Sequence, residues 1–174
     1  MSSTRAEPPI VGTWVSGFEV PVIDERSVRA AAGLLLTLGA LAVGVALATG
    51  NPQAMRPFGM LFLLDMVARV ALGDRWSPTL AFGRLVTRRR PPRWVGAPQK
   101  VFAWSLGIGI AALSCASMGV LGAPFAVTLA LCSVCLVLLF LEAAFGICVG
   151  CALQRALTRT RPQHCPSGRC TASH

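Results

Sequence analysis

Charge is scarce in this chain. Only 13% of its 174 residues are Asp, Glu, Lys or Arg, about half the share of an average soluble domain. Hydrophobic residues make up 54%, and the mean hydropathy is +0.64. So little polar surface cannot cover a soluble fold, which excludes an ordinary soluble enzyme and a disordered chain. Histidine is nearly absent too. His164 and His174 both fall in the tail, which leaves no histidine to ligate a cofactor inside an apolar segment. No Ser/His/Asp constellation, Gly-rich phosphate loop or haem-attaching Cys-x-x-Cys-His occurs. No resident cofactor is expected.

What the chain has in quantity is long apolar runs. A helix needs about 20 mostly apolar residues to cross a bilayer core. Ala30 to Met55 carries no acid before Arg56, and Val101 to Leu141 carries no charge and is divided by Pro124. Ala143 to Leu153 is again uncharged, and Pro57 to Leu72 is apolar apart from Asp65 and Arg69. Backbone groups in lipid must pair within the segment, so these runs are helices. The pattern predicts an all-α polytopic membrane protein with four transmembrane helices, over about 29–49, 55–73, 101–121 and 124–152. Thr49-Gly50-Asn51-Pro52 and Gly122-Ala123-Pro124 are tight turns, so the helices form two hairpins joined by a basic loop, 74–100. Residues 1–28 form an amino-terminal segment and 154–174 a flexible tail. A cleaved signal peptide ending near Ala46-Leu47-Ala48 is the competing reading of the first run, but that run is too long and is preceded by a polar stretch.

The net charge is +9, and every basic residue except Lys100 is Arg. Arg5, Arg26 and Arg29 precede the first run. Seven basic residues, from Arg75 to Lys100, lie in the central loop, and Arg155, Arg159, Arg161 and Arg169 lie in the tail. The hairpin turns hold only Arg56. Positive charge marks the cytoplasmic side, so both termini and the loop are expected to be cytoplasmic, as an even number of spans requires. The run Arg88-Arg89-Arg90 could suggest nucleic acid. Topology and attraction to the anionic lipid bilayer account for it more simply, and no nucleic-acid partner is expected. Trp76 and Trp94 suit the headgroup level, and Leu80, Phe82, Leu85 and Val86 suit a short interfacial helix.

Helices in lipid meet through small residues. Ala103, Gly107, Ala111, Cys115 and Gly119 recur every fourth position, and so do Ala40, Gly44 and Ala48. Both stripes are predicted seams, within the bundle or in a homo-oligomer. Asp65 and Arg69 are also four apart, acid first. At ~1.5 Å per residue Arg69 lies about 21 Å from the outer end of its helix, and Glu142 about 24 Å from the outer end of its own. Intramembrane charges pair or line a cavity. Asp65, Arg69 and Glu142 are therefore expected to form one inward network, either a clasp that fixes register or a proton or substrate path.

Seven cysteines, an odd number, argue against a complete intrachain disulfide framework. Cys148-Val149-Gly150-Cys151 falls where the last span meets the cytoplasm. Its spacing suits a dithiol that alternates with a disulfide, accepts sulfur or grips a soft metal. Against this, the carboxyl end of a continuous helix disfavours a thiolate, which Arg155, Arg159 or a local break at Gly150 would have to offset. Cys132 and Cys135 share the spacing but lie in the outer half of the bilayer. Cys135 and Cys148 stand about 20 Å apart along one helix, too far for direct exchange. The outer pair and Cys115 read as structural fillers. His164, Cys165 and Cys170 lack the second half of a zinc site.

Several motifs occur in a recognisable order: Val22-Ile23-Asp24-Glu25-Arg26, Leu64-Asp65-Met66-Val67-Ala68-Arg69, Trp76-Ser77-Pro78, Pro98-Gln99-Lys100, and Leu141-Glu142 through Cys148-Val149-Gly150-Cys151. From about 22 to 153 the chain resembles a family of small bacterial membrane proteins known as domain of unknown function 4395. The resemblance implies a bacterial inner-membrane protein with no assigned reaction, often encoded near thioredoxin-like or rhodanese-like proteins. Such a cytoplasmic protein is the implied partner. Three functions fit the residues. The first is thiol redox or sulfur relay through Cys148 and Cys151, with Glu142 tuning the site. The second is a small transporter or soft-metal carrier using Asp65, Arg69 and Glu142. The third is a non-catalytic assembly subunit.

Overall fold

The computed structural model of the protein describes residues 9–18, 20–150 and 152–153. The first apolar run becomes α1 (Glu25–Thr49) after a three-residue strand, β1 (Val22–Asp24). Asp24 is its N-cap and accepts from the Arg26 N–H at 3.1 Å, which satisfies one of the helix's open donors. The helix stops at Gly50, whose left-handed φ of 64° suits a residue without a Cβ. A 3-10 turn, Pro52–Met55, leads into α2 (Arg56–Val67), and the wider π-helical turn Ala68–Leu72 continues it to Gly73. The central loop is largely ordered. It holds a 3-10 turn (Asp74–Trp76), α3 (Pro78–Thr87) and β2 (Trp94–Gly96). Then come α4 (Ala97–Gly119), α5 (Phe125–Phe140) and a second π-helical turn, Leu141–Phe145, which ends at Gly146 with φ 68°.

α1, α4 and the stretch Phe125–Phe145 are each long and apolar enough to cross a membrane, and less than a third of each is buried. Leu41, Leu47, Leu113, Val134 and Val137 point outward. Exposed leucine and valine in such number suit acyl chains and not water. The helices are thus compatible with an integral membrane protein. Among the described residues three helices have this length, and α2 is shorter. α2 and its π turn hold 12 and 5 residues, a rise of at most about 25 Å against a core of ~30 Å.

One core runs through the bundle, from Val28, Ala31 and Leu35 of α1 to Phe58 and Phe62 of α2, Trp104 of α4 and Leu139 of α5. The small-residue stripe of α4 is a seam against α2. A Cβ on Gly107 would lie 3.7 Å from the Phe62 ring, and one on Gly59 would lie 3.3 Å from Cys115 Sγ. The stripe expected on α1 is not a seam within the bundle. Ala40, Gly44 and Ala48 are exposed, and the close approach is at Gly39, where a Cβ would come within 2.6 Å of Leu136 and Phe58. A four-residue repeat of small side chains defines a helix face but does not say which face turns inward.

The short strands were not expected. β1 and β2 pair antiparallel with Ile23 opposite Val95, and Thr13 bridges to Val22. This ribbon joins the chain before α1 to the chain before α4. Gly12 N–H donates to Asp74 Oδ1 at 3.1 Å, and Arg84 pairs with Asp74 at 3.2 Å. The expected short helix is present as α3. Leu80 is fully buried while Phe82, Leu85 and Val86 are exposed.

Candidate functional site

Asp65 comes from the last turn of α2 and Arg69 from the π turn that follows. The guanidinium meets the carboxylate at 2.8 Å, with both side chains almost wholly buried. Both carboxylate oxygens take further donors. Ser77 Oγ and Thr79 Oγ1 each donate to Asp65 at 2.7 Å. Arg69 Nη2 donates to Thr79 Oγ1 at 2.6 Å, and the Leu80 N–H donates to Ser77 Oγ at 3.1 Å. Ser77 is the N-cap of α3 and Pro78 its first residue, a common way to start a helix. The carboxylate therefore sits at the amino end of α3, where the helix dipole favours negative charge. The pair clasps α3 onto α2.

Glu142 does not join that clasp. Its Oε1 accepts from Lys100 Nζ at 2.6 Å. Lys100, in the first turn of α4, is only 4% exposed, so it is a buried partner and not one more loop charge. The expected single network of Asp65, Arg69 and Glu142 is therefore two ion pairs. The reason is stoichiometric: Asp65 and the hydroxyls of Ser77 and Thr79 occupy Arg69, and α4 brings a second cation to Glu142. Arg69 and Glu142 nevertheless line one cavity of about 240 Å³. Each also sits on a π-helical turn, a distortion frequent at functional sites.

Most of the cavity wall is apolar, with Phe62, Met66, Ala103, Gly107 and Leu139 among its residues. Four further residues bring chemistry: Trp104, Cys135, Glu142 and Cys148. Trp104 is 3% exposed and its indole Nε1 has no hydrogen-bond partner among the described residues. The Arg69 guanidinium lies 5.1 Å from the centroid of its ring, within cation–π range.

The segment carrying Cys148 departs from expectation. The last span is not one helix to residue 152. It ends at Gly146, and Arg29 of α1 closes it by donating to Ala143 O at 3.0 Å and Ala144 O at 2.7 Å, a cation on open carbonyls. A new helical turn then starts, with Ala152 N–H donating to Cys148 O at 3.1 Å. Cys148 thus opens a helical turn and does not close a long one, which removes the dipole objection raised by the sequence. The break is at Gly146 and not at Gly150. Gly150 serves a different purpose: a Cβ there would come within 2.6 Å of Ala103 Cβ, so only glycine lets this turn lie on α4. Cys148 is half-buried and disulfide-bonded. Cys151, Cys165 and Cys170 lie outside the described residues, as does most of the tail.

Of the motifs noted in the sequence, the one carrying Asp65 and Arg69 and the one running from Glu142 to Cys148 both contribute residues to this cavity. The model of the family described as Domain of unknown function (DUF4395) matches residues 23–159. The chain belongs to that family. The DUF4395 match covers Asp65, Arg69, Lys100, Trp104, Glu142, Cys148 and Cys151, and leaves Cys165 and Cys170 outside. No curated protein and no solved structure matches the chain.

Cys115, Cys132 and Cys135 are free in this DUF4395 chain. Cys132 and Cys135 are buried, and Cys132 Sγ lies 3.6 Å from Ser114 Oγ, consistent with packing. Because the chain breaks at Gly146, the linear separation of Cys135 and Cys148 no longer describes them: both line the cavity. The sequence reading missed Lys100, Trp104, Ser77 and Thr79 as site residues. Lys100 and Trp104 are one turn apart at the start of an apolar run, and Ser77-Pro78 carries a helix-start pattern.

Proposed function

We propose that this chain crosses the bacterial inner membrane four times, with both ends on the cytoplasmic side, and carries out thiol–disulfide chemistry through Cys148 and Cys151. The observation that favours the thiol reading is that Cys148 opens a helical turn on the wall of a largely apolar cavity, beside Glu142. In the proposed exchange, a thiolate of one partner attacks the disulfide of the other and displaces a thiolate. The neighbouring thiol then attacks the mixed disulfide and releases the second sulfur, so two electrons and the disulfide change places. The partner is a cytoplasmic thioredoxin-like or rhodanese-like protein. Glu142, held by Lys100, sets the charge at the cavity wall.

The fourth crossing is supported by α2 running antiparallel along α4. Arg56 lies beside Gly119, Gly59 beside Cys115 and Phe62 beside Gly107. The start of α1 and the end of the last helix meet at one end of the bundle, through Arg29. Tags at residue 1 and residue 174, each tested for access from outside intact cells, should both be shielded. A single accessible end would refute the even number of crossings.

Transport has weaker support, because Asp65 and Arg69 spend their hydrogen bonds on each other, Ser77 and Thr79. An assembly role, including a homo-oligomer, is favoured by one observation: the small-residue stripe Ala40, Gly44 and Ala48 faces outward. Thiol trapping in intact cells separates these readings. Of Cys148→Ser and Cys151→Ser, the variant that loses the resolving thiol should lengthen the life of a mixed disulfide with a cytoplasmic protein, the one that loses the attacking thiol should prevent it, and the double variant should abolish it. Unchanged adducts in the double variant would exclude the thiol reading.

A further inference from the structure

The cavity beside Cys148 has an entrance and an unmet need. Leu106, Ile147, Val149 and Leu153 line it and are also exposed on the outside of the protein. An occupant therefore arrives through apolar surroundings and not through water. Trp104 lines it, and its indole N–H is a buried donor with no acceptor among the described residues, a state that costs about 1–3 kcal/mol if nothing fills it. The Arg69 guanidinium packed near the same ring adds positive charge on that side. At about 240 Å³ the space is smaller than usual drug-sized sites. It admits a substituted ring and not a whole lipid. Cys148 on the wall adds the last requirement, a molecule able to exchange two electrons with a thiol pair.

We infer that this cavity binds the ring of a lipid-soluble quinone, with a ring carbonyl accepting from Trp104 Nε1 and the tail leaving past Leu106 and Leu153. Binding stands on the cavity alone. The redox step rests on the thiol reading proposed above. In that step Cys148 and its disulfide partner, both as thiols, give up two electrons and two protons. A sulfur–sulfur bond forms, and the two quinone carbonyls become the hydroxyls of the quinol. The protein then oxidises thiols on its partner and passes the electrons to the bilayer.

The test uses the full chain in lipid nanodiscs and a benzoquinone carrying a decyl tail, radiolabelled. Saturable binding near one per chain is expected, not displaced by decanol. Trp104→Phe keeps the ring and removes the donor, and should weaken binding about tenfold, the equivalent of ~1.4 kcal/mol. Gly107→Leu should fill the cavity and abolish binding, with unchanged helix content as the check on folding. Absent saturable binding, or displacement by decanol, overturns the quinone site and leaves the thiol reading standing with another acceptor. Normal binding in Trp104→Phe overturns the role of the indole. If the quinone binds but the reduced protein forms no quinol, the site stands and the thiol reading fails.

Discussion

Asp65→Leu should destabilise the protein by about 3–5 kcal/mol, the usual result of removing one member of a buried ion pair. Its carboxylate accepts from Arg69, Ser77 and Thr79, and none of these can turn to water because all are buried. The variant leaves a guanidinium in apolar surroundings and strips the anion from the amino end of α3. Pairing the change with Arg69→Met should recover a large part of the loss, since the unpaired charge is the main penalty and not the missing attraction. Reversible unfolding in detergent micelles, read as a double-mutant cycle, measures both. A single-variant loss below about 1 kcal/mol would show that the clasp does not hold α3. The result also bears on function. A clasp whose carboxylate is held by Arg69, Ser77 and Thr79 together is built for rigidity, and it keeps Arg69 beside Trp104 at the cavity.

The apolar runs, their breaks at Gly50 and Pro124, and the existence of α3 were legible in the sequence, because hydropathy and helix-stop residues act locally. The misses share a different cause. Lys100 looked like a loop charge, since composition cannot reveal that α4 begins at Ala97 and turns Lys100 toward Glu142. The ribbon of β1 and β2 joins residues about 70 apart in three-residue strands, too short for any alternation to register. The break at Gly146 was hidden by its apolar neighbours, and it moved Cys148 from the end of one helix to the beginning of a new turn. On α1 spacing alone could not say that the stripe turns outward and that Gly39 makes the close approach within the bundle. In each case the deciding fact was a contact between distant segments, and the site is built from such contacts.

The same reasoning makes Gly83 a position that cannot accept a side chain without moving its helix. α3 lies so close to α1 that a Cβ on Gly83 would collide with Ser27 O, reach 3.0 Å from Ser27 C and 3.3 Å from Ala31 N. These are backbone atoms of a long helix and cannot swing aside. Gly83→Ala must instead push α3 outward, which opens the seat of the fully buried Leu80 and pulls Ser77 from Asp65. The expected cost is about 2–3 kcal/mol, the upper part of the range for overpacking, although alanine is the better helix former by about 1 kcal/mol. Gly44→Ala is the control. It sits in α1 with nothing within 4 Å of the added Cβ, so propensity alone should make it neutral or slightly stabilising. Hydrogen exchange across residues 78–87 reads the effect directly. Faster exchange in Gly83→Ala, with no change there in Gly44→Ala, would establish that close backbone approach seats α3. Equal behaviour of the two variants would mean that α3 is held by the Asp65 clasp alone.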